Sequence, residues 1–216
     1  MRFDSILIIT YGRSGSTLLQ GVLNSIEGCV VRGENNNFCH HLYHAYNALL
    51  QTNYHGNENS RSAWYGGNLY DKDFFLGQAE GLLRTMLKGN EGDNIKCYGF
   101  KEIRYNPEEV HNLGDYLNFL SKIFPNVAFI FNTRNLEDVV KSKWWALRDK
   151  EEVMALLKET ELNFFDFIAR NRDNSFHITY EDVIGKSDKL LEMHEFLEVN
   201  YTEEAIDAVL ATMHSF

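Results

Sequence analysis

Short apolar runs alternate with segments of helical period along this chain. The clearest runs, residues 5–11 and 127–132, are bounded by glycine or polar positions, which is typical of strands buried on both faces of a parallel sheet. Shorter runs predict further strands at 29–31, 95–100 and 175–179. Five strands are therefore expected.

The segments between these strands show a helical period. Helices are predicted at 16–26, 38–50, 73–87, 107–124, 151–172, 186–197 and 202–213. Residues 52–70 are rich in Asn, Gly, Ser and Tyr without a clear period, and are predicted to be a long loop. The alternation indicates an α/β fold of three layers (α/β/α), with a central parallel sheet of about five strands covered on both faces. A single domain over residues 1–216 is the simplest organisation for this length.

Composition narrows the class of protein. The chain has 216 residues, 21 Lys plus Arg and 31 Asp plus Glu, hence a formal net charge of −10. Such a balance argues against general binding to nucleic acid or an anionic membrane, but leaves a local anion site open. Cys29, Cys39 and Cys97 are odd in number and form no C-x-x-C pair, so neither a disulfide framework nor structural zinc is expected.

The N-terminal run leads straight into a glycine-rich turn, unlike a signal peptide, and no apolar stretch reaches the ~18 residues of a membrane span. A cytoplasmic protein is therefore expected.

The turn after the first strand predicts an anion site. A glycine-rich turn between a buried strand and a helix directs backbone N–H groups, and the positive end of the helix dipole, at one point. Gly12 and Gly15 permit a close approach, and Ser14, Ser16 and Thr17 add hydroxyl groups. The loop lacks the lysine of the G-x-x-x-x-G-K-[ST] pattern, so it suggests phosphate without a metal ion. A plain strand-to-helix turn with a serine cap is the alternative.

Charged residues follow other predicted strands. Glu34, Lys101 and Arg134 each come at a strand end, as does Arg13, and ligands of parallel α/β sheets bind at that edge. Arg134 can grip a phosphate bidentately. Asn135 is predicted to cap the next helix, and Asp138 would complete an arrangement like a capping box. Ser142 would lie two turns into that helix, where its hydroxyl could add a contact to the phosphate.

Two segments together resemble a known family. Gly-Arg-Ser-Gly-Ser-Thr-Leu-Leu at 12–19 resembles the 5′-phosphosulfate loop of sulfotransferases, and Arg-Asn-x-x-Asp-x-x-x-Ser at 134–142 resembles their 3′-phosphate motif. Weaker matches near 179–197 extend the resemblance over about residues 5–200. It implies a P-loop NTPase-like fold, 3′-phosphoadenosine 5′-phosphosulfate (PAPS) as donor, adenosine 3′,5′-bisphosphate (PAP) as product, and no metal. The sequence departs from the family in having no basic, glycine-rich loop after Leu197.

The resemblance also implies residue roles. Arg13 would contact the sulfuryl or bridging oxygen. The donor would be held by residues of both motifs, namely Arg13, Ser14, Gly15, Ser16, Thr17, Leu18, Arg134 and Ser142.

A base must remove the proton of the accepting hydroxyl. Glu34 is the candidate, because it follows the second strand and resembles the glutamate of the family's G-E-x-x-x-F segment. His40 and His41 are rivals, and Lys101 is expected to stabilise the sulfuryl oxygens or bind acceptor. The implied partners are the small-molecule donor and a hydroxylated acceptor, such as a carbohydrate or small metabolite. A nucleotide-metabolite kinase and a non-catalytic adenosine-bisphosphate binder are the alternative functions.

Overall fold

A computed structural model describes residues 1–89 and 94–212 of the chain. The described residues form a five-stranded sheet in the order β2-β3-β1-β4-β5, with every pair of neighbours parallel. The strands are β1 Ser5–Ile9, β2 Cys29–Arg32, β3 Cys97–Glu102, β4 Val127–Thr133 and β5 Ser175–Thr179. All five predicted strands are confirmed.

Helices cover both faces of this sheet. They are α1 Ser16–Asn24, α2 Phe38–His55, α3 Lys72–Lys88, α4 Leu113–Ile123, α5 Leu136–Val139, α6 Lys150–Arg170, α7 Tyr180–Ile184, α8 Asp188–Leu197 and α9 Glu203–Ala211. The predicted end of the last helix, residue 213, lies outside the described residues. No described helix is both long and apolar enough to cross a membrane.

The alternating side chains of β1 divide the core into two parts. Ile6 and Ile8 pack with α1, α7, α8 and α9, whereas Leu7 and Ile9 pack on the other face with α2, α3, α4 and α6. All four side chains are fully buried. The continuous apolar run therefore reflects a strand with a helical layer on each face, which confirms the predicted α/β/α architecture.

Several predicted boundaries differ from the structure, and three of these differences change the description of a segment. The helix expected from Pro107 begins at Leu113, because Asn112 caps it by accepting from the N–H of Asp115 at 3.1 Å. The region predicted as one loop, 52–70, instead contains the last turn of α2 and a short 3₁₀ helix at Gly67–Leu69.

The third correction concerns Ser142. Helix α5 ends at Val139, so Ser142 lies in a turn after the helix and not two turns inside it. Asn135 does cap α5, accepting from the N–H of Glu137 at 3.0 Å. The N–H of Asn135 donates to Oε1 of Glu181 at 3.2 Å, and no reciprocal bond from Asp138 occurs in the described residues.

Candidate active site

A cavity of about 880 Å³ opens at the carboxyl edge of the sheet. The segments after β1, β2 and β4, together with the end of β3, supply its walls. Arg13, Glu34, Lys101 and Arg134 all line it, as the strand ends predicted. Lys101 lies within β3, which continues to Glu102.

The glycine-rich turn forms one wall of the cavity. Gly15, Ser16, Thr17 and Leu18 line it, and the first N–H groups of α1 have no acceptor within the helix. Gly15 has a left-handed backbone with φ of 77°, and the ring of Tyr180 lies directly against it. A Cβ atom at position 15 would be 2.2 Å from Cδ2 of Tyr180. Glycine is therefore required here both for the backbone conformation and for the close approach of the ring.

Ser14 has a different role from the one predicted. Its side chain is buried, and its Oγ lies 2.6 Å from Oγ1 of Thr10. Because Thr10 donates its own proton to the carbonyl oxygen of Asn132 at 2.7 Å, Ser14 is the donor to Thr10. The Ser14 hydroxyl therefore connects the turn, through Thr10, to the end of β1 and to Asn132 of β4, and it does not face the cavity.

Arg134 forms a second wall of the cavity. Its guanidinium carbon lies 4.4 Å from the centroid of the Tyr180 ring, a cation–π contact. Its Nε is buried and has no hydrogen-bond partner among the described residues. A buried donor without a hydrogen-bond partner, on a charged group, lowers the stability of a protein. The unpartnered Nε of Arg134 therefore fits a site that an anionic ligand completes.

The backbone of Arg134 is held by a buried tyrosine. The Tyr11 hydroxyl accepts from the N–H of Arg134 at 3.1 Å and donates to Oε1 of Glu161 at 2.6 Å. Burial, reinforced by the Glu161 carboxylate, raises the pKa of Tyr11, and burial raises the pKa of Glu161. Neutral Tyr11 thus connects β1, α6 and the start of the second motif.

The turn after α5 folds back onto the glycine-rich loop. Nε of Arg13 donates to Oγ of Ser142 at 2.9 Å, and Nε1 of Trp145 donates to the carbonyl oxygen of Gly12 at 2.9 Å. Trp145 is buried, whereas Trp144 is 44% exposed and lines the cavity. The two predicted motifs are therefore in direct contact.

Glu34 and Lys101 form the third wall of the cavity. Nζ of Lys101 lies 2.7 Å from Oε1 of Glu34, and Nη1 of Arg104 lies 3.9 Å from Oε2. The Lys101 side chain is 7% exposed, while Glu34 is 37% exposed. Glu34 is thus oriented by Lys101 of β3 and by Arg104, which follows that strand, while it remains open to the cavity.

Glu102 holds the loop that carries Glu34, and sequence reasoning missed this role. Its fully buried carboxylate accepts from the N–H groups of Asn35 at 3.2 Å and Asn37 at 2.9 Å. Asn36 and Asn37 have left-handed backbones, with φ of 54° and 60°. The signal in the sequence was the Asn35–Asn37 run, because asparagine tolerates such backbones, whose N–H groups then need an acceptor.

The rival histidines do not line the cavity. The ring of His40 packs 4.4 Å from that of His44 and 4.9 Å from that of Tyr116, and His41 is exposed. Burial and the neighbouring histidines lower the pKa of His40 to about 4. Glu34 is therefore better placed than either histidine to act on a ligand in the cavity.

The chain is similar to one known protein family and to several solved structures. The model of the sulfotransferase family matches residues 5–204. A comparison with curated proteins returned no match. Among solved structures, a sulfotransferase domain from the curacin biosynthetic pathway is similar, with a TM-score of 0.57 and 16% identity over 95% of this chain and 77% of that one. Mouse sulfotransferase SULT7A1 complexed with PAP gives a TM-score of 0.47 at 15% identity, over 97% and 63% of the two chains.

The likeness to the curacin-pathway domain concerns the fold. The family match, by contrast, spans both predicted motifs and all five strands completely, and it ends at the second residue of α9. It also agrees with the cavity, where both motifs meet at one edge of the sheet. The chain belongs to the sulfotransferase family.

Proposed function

We propose that the cavity binds PAPS and that the enzyme transfers its sulfuryl group to a hydroxyl of a small metabolite or a carbohydrate. The observation that carries the proposal is the meeting of three features in one cavity. These are the open N terminus of α1, the unpartnered Nε of Arg134, and the carboxylate of Glu34. Sulfuryl transfer is the activity of the family, so the proposal concerns the donor, the acceptor and the residues that act.

The donor contacts follow from the two anion-binding walls. Ser16 and Thr17, at the start of α1, would hold the 5′-phosphate with backbone N–H groups and hydroxyls. Arg134 would bind the 3′-phosphate, and its unpartnered Nε supplies a donor that the protein leaves unused. The Ser142 hydroxyl accepts a hydrogen bond from Arg13. The hydroxyl proton of Ser142 can therefore be donated to a phosphate oxygen.

In the proposed reaction, the acceptor hydroxyl oxygen forms a bond to sulfur while the bond from sulfur to the bridging phosphate oxygen breaks. Glu34 accepts the hydroxyl proton, and PAP leaves with the electron pair of the broken bond. Arg13 and Lys101 stabilise the negative charge that develops on the bridging and sulfuryl oxygens. Lys101 suits this role because its buried ammonium group already lies beside Glu34.

Calorimetry with PAP, AMP and ATP tests the donor site. We expect PAP to bind most tightly, and Arg134→Ala to weaken PAP by roughly 10–100-fold while AMP changes little, because a charge-assisted bond to one phosphate is lost. Equal binding of PAP and AMP by the wild-type chain would reject the proposed donor.

Activity assays address the alternative functions. Transfer of labelled sulfate from PAPS to an acceptor panel would rule out a non-catalytic binder. Magnesium-dependent phosphoryl transfer from ATP would instead favour a kinase.

We further propose that residues 1–216 form one domain, since both hydrophobic clusters pack on the same sheet. We also propose that the enzyme acts in the cytoplasm, where its buried free thiols would stay reduced.

A further inference from the structure

Lys143 comes directly after the segment 134–142, which resembles the 3′-phosphate motif, and it has an uncommon backbone conformation. It follows Ser142 directly and lines the cavity, and its φ of 45° is left-handed. Such a conformation is uncommon for a residue that is neither glycine nor asparagine, and strain of this kind is concentrated at functional sites. No other basic residue of the second motif or of the turn after it, apart from Arg134, lines the cavity in the described chain.

The turn around Lys143 is fixed on both sides. The N–H of Ser142 donates to the carbonyl oxygen of Val139 at 2.9 Å, and the N–H of Trp145 donates to that of Ser142 at 3.1 Å. The buried Trp145 side chain also bonds to Gly12. The Lys143 backbone therefore has a defined position against the glycine-rich loop, and its flexible side chain starts from that point.

The other basic side chains of the cavity already have partners. Lys101 pairs with Glu34, Arg13 donates to Ser142, and Arg134 lies on the Tyr180 ring. The Lys143 side chain has no hydrogen bond or ion pair to any residue that the structure describes. Its ammonium group is therefore available to a ligand without the loss of a bond within the protein.

The ligand chemistry calls for such a cation. A terminal phosphate monoester carries a charge of about −1.5 to −2 at neutral pH, more than one guanidinium neutralises. Among the described residues, α9 and the residue after it contribute Leu210 and Thr212 to the cavity wall, and neither is basic. Of the two lysines that flank Ser142 in the sequence, Lys143 lines the cavity and Lys141 does not.

We infer that Lys143 binds the 3′-phosphate of the donor and sets the preference for a nucleoside 3′,5′-bisphosphate over a 5′-monophosphate. The inference rests on the proposed donor site. It goes beyond that site by assigning a specificity-determining residue that neither motif contains as a ligand. Lysine acts here as a mobile point charge, complementary to the planar fork of Arg134.

Calorimetry of Lys143→Met with PAP and AMP tests the inference, with Lys141→Met as the matched control. Lys141 is an exposed lysine two residues earlier that does not line the cavity. We expect the PAP-over-AMP preference of Lys143→Met to fall about 10-fold, because one charge-assisted contact is lost, while AMP affinity stays within about twofold. Lys141→Met should retain the wild-type preference, and Lys143→Arg should restore most of it.

The outcomes separate this inference from the proposed function. An unchanged preference in Lys143→Met, with PAP still favoured by the wild-type chain, would overturn the role of Lys143 and leave the donor site intact. Equal weakening of PAP and AMP would also overturn it, since that result indicates a general electrostatic effect. A wild-type chain with no preference would reject the donor and the Lys143 assignment together. Lys143 is exposed, so the thermal midpoint should be similar in all variants.

Discussion

Nζ of Lys101 lies 2.7 Å from Oε1 of Glu34, which joins the end of β3 to the loop after β2. The lysine is almost entirely buried, whereas the carboxylate is open to the cavity. The pair therefore orients a carboxylate toward bound ligands from a rigid strand. Because this ion pair directs the Glu34 carboxylate into the cavity, replacement of Glu34 should affect the rate of sulfuryl transfer more than the binding of the donor.

Glu34→Gln should lower kcat by about 10²–10⁴-fold, because an amide cannot accept the proton of the acceptor hydroxyl. PAP affinity should change much less, since Glu34 is the proposed proton acceptor and not one of the proposed phosphate contacts. Sulfate transfer at saturating PAPS, together with calorimetry of PAP, measures both effects. His41→Gln, which alters an exposed histidine outside the cavity, should keep wild-type activity. Full activity of Glu34→Gln would show that another group is the base.

Glu102→Gln should disturb the Glu34 loop. The buried carboxylate accepts from four donors, including Nη1 of Arg104 and the N–H of Ile103. An amide has only one acceptor oxygen, so at least one buried N–H loses its partner, and the free energy of unfolding should fall by about 1–3 kcal/mol. Urea denaturation measures the loss. Glu109→Gln, at an exposed position, is the control and should lie within about 0.5 kcal/mol of wild type. Equal stability of the two variants would contradict this role of Glu102.

The strands and the residues at their ends could be predicted because both depend on local pattern. Continuous apolar runs identify strands buried on two faces, and the carboxyl ends of parallel strands lie at one edge. Arg13, Glu34 and Arg134 follow from these two rules alone. The same reasoning ended the third strand two residues too early, at residue 100, because Lys101 and Glu102 are still part of β3.

Other features depend on contacts between distant segments, which local patterns do not contain. The direction of the Ser14 side chain is set by Thr10 and by the carbonyl of Asn132, on a different strand. The two adjacent tryptophans both lie near Gly12, but only Trp145 donates a hydrogen bond to its carbonyl oxygen and is buried. Residue type cannot distinguish such cases, since a serine or tryptophan is compatible with either orientation.

Acid should destabilise the packing of α2 against α4. The pKa of His40 is lowered to about 4, while the same residue in the unfolded chain titrates near 6.5. Between these values the unfolded state binds more protons, so stability should fall as the pH decreases from about 6.5 towards 4. His40→Gln should reduce this dependence in urea denaturation at pH 7 and pH 5. The remainder should come from other groups, including His177 and His194, whose pKa values burial also lowers.

His41→Gln provides the matched comparison, because His41 is exposed on the same helix. Its pH dependence should equal that of the wild-type chain. An identical change in stability between pH 7 and pH 5 in the His40 and His41 variants would contradict the effect of His40.

Gly15→Ala should abolish donor binding and lower stability. Alanine at position 15 would have to adopt the left-handed backbone of this turn, and its methyl group would overlap the Tyr180 ring, on which Arg134 lies. The backbone alone costs about 1–2 kcal/mol for a residue with a Cβ atom. Displacement of the ring should also move Arg134. We therefore expect a lower thermal midpoint and a loss of PAP binding in the same variant.

Gly77→Ala separates the local effect from a general intolerance of alanine. Gly77 lies in α3, and no atom lies within 4 Å of a Cβ atom added there. Because alanine favours the helix by roughly 0.5–1 kcal/mol over glycine, this variant should be as stable as wild type or more so, with full PAP affinity. In Gly15→Ala/Tyr180→Ala the steric overlap is removed but the left-handed backbone remains. That double variant should recover part of the stability and none of the PAP affinity, because Arg134 has lost its supporting ring. Wild-type PAP affinity in Gly15→Ala would show that the turn does not contact the donor.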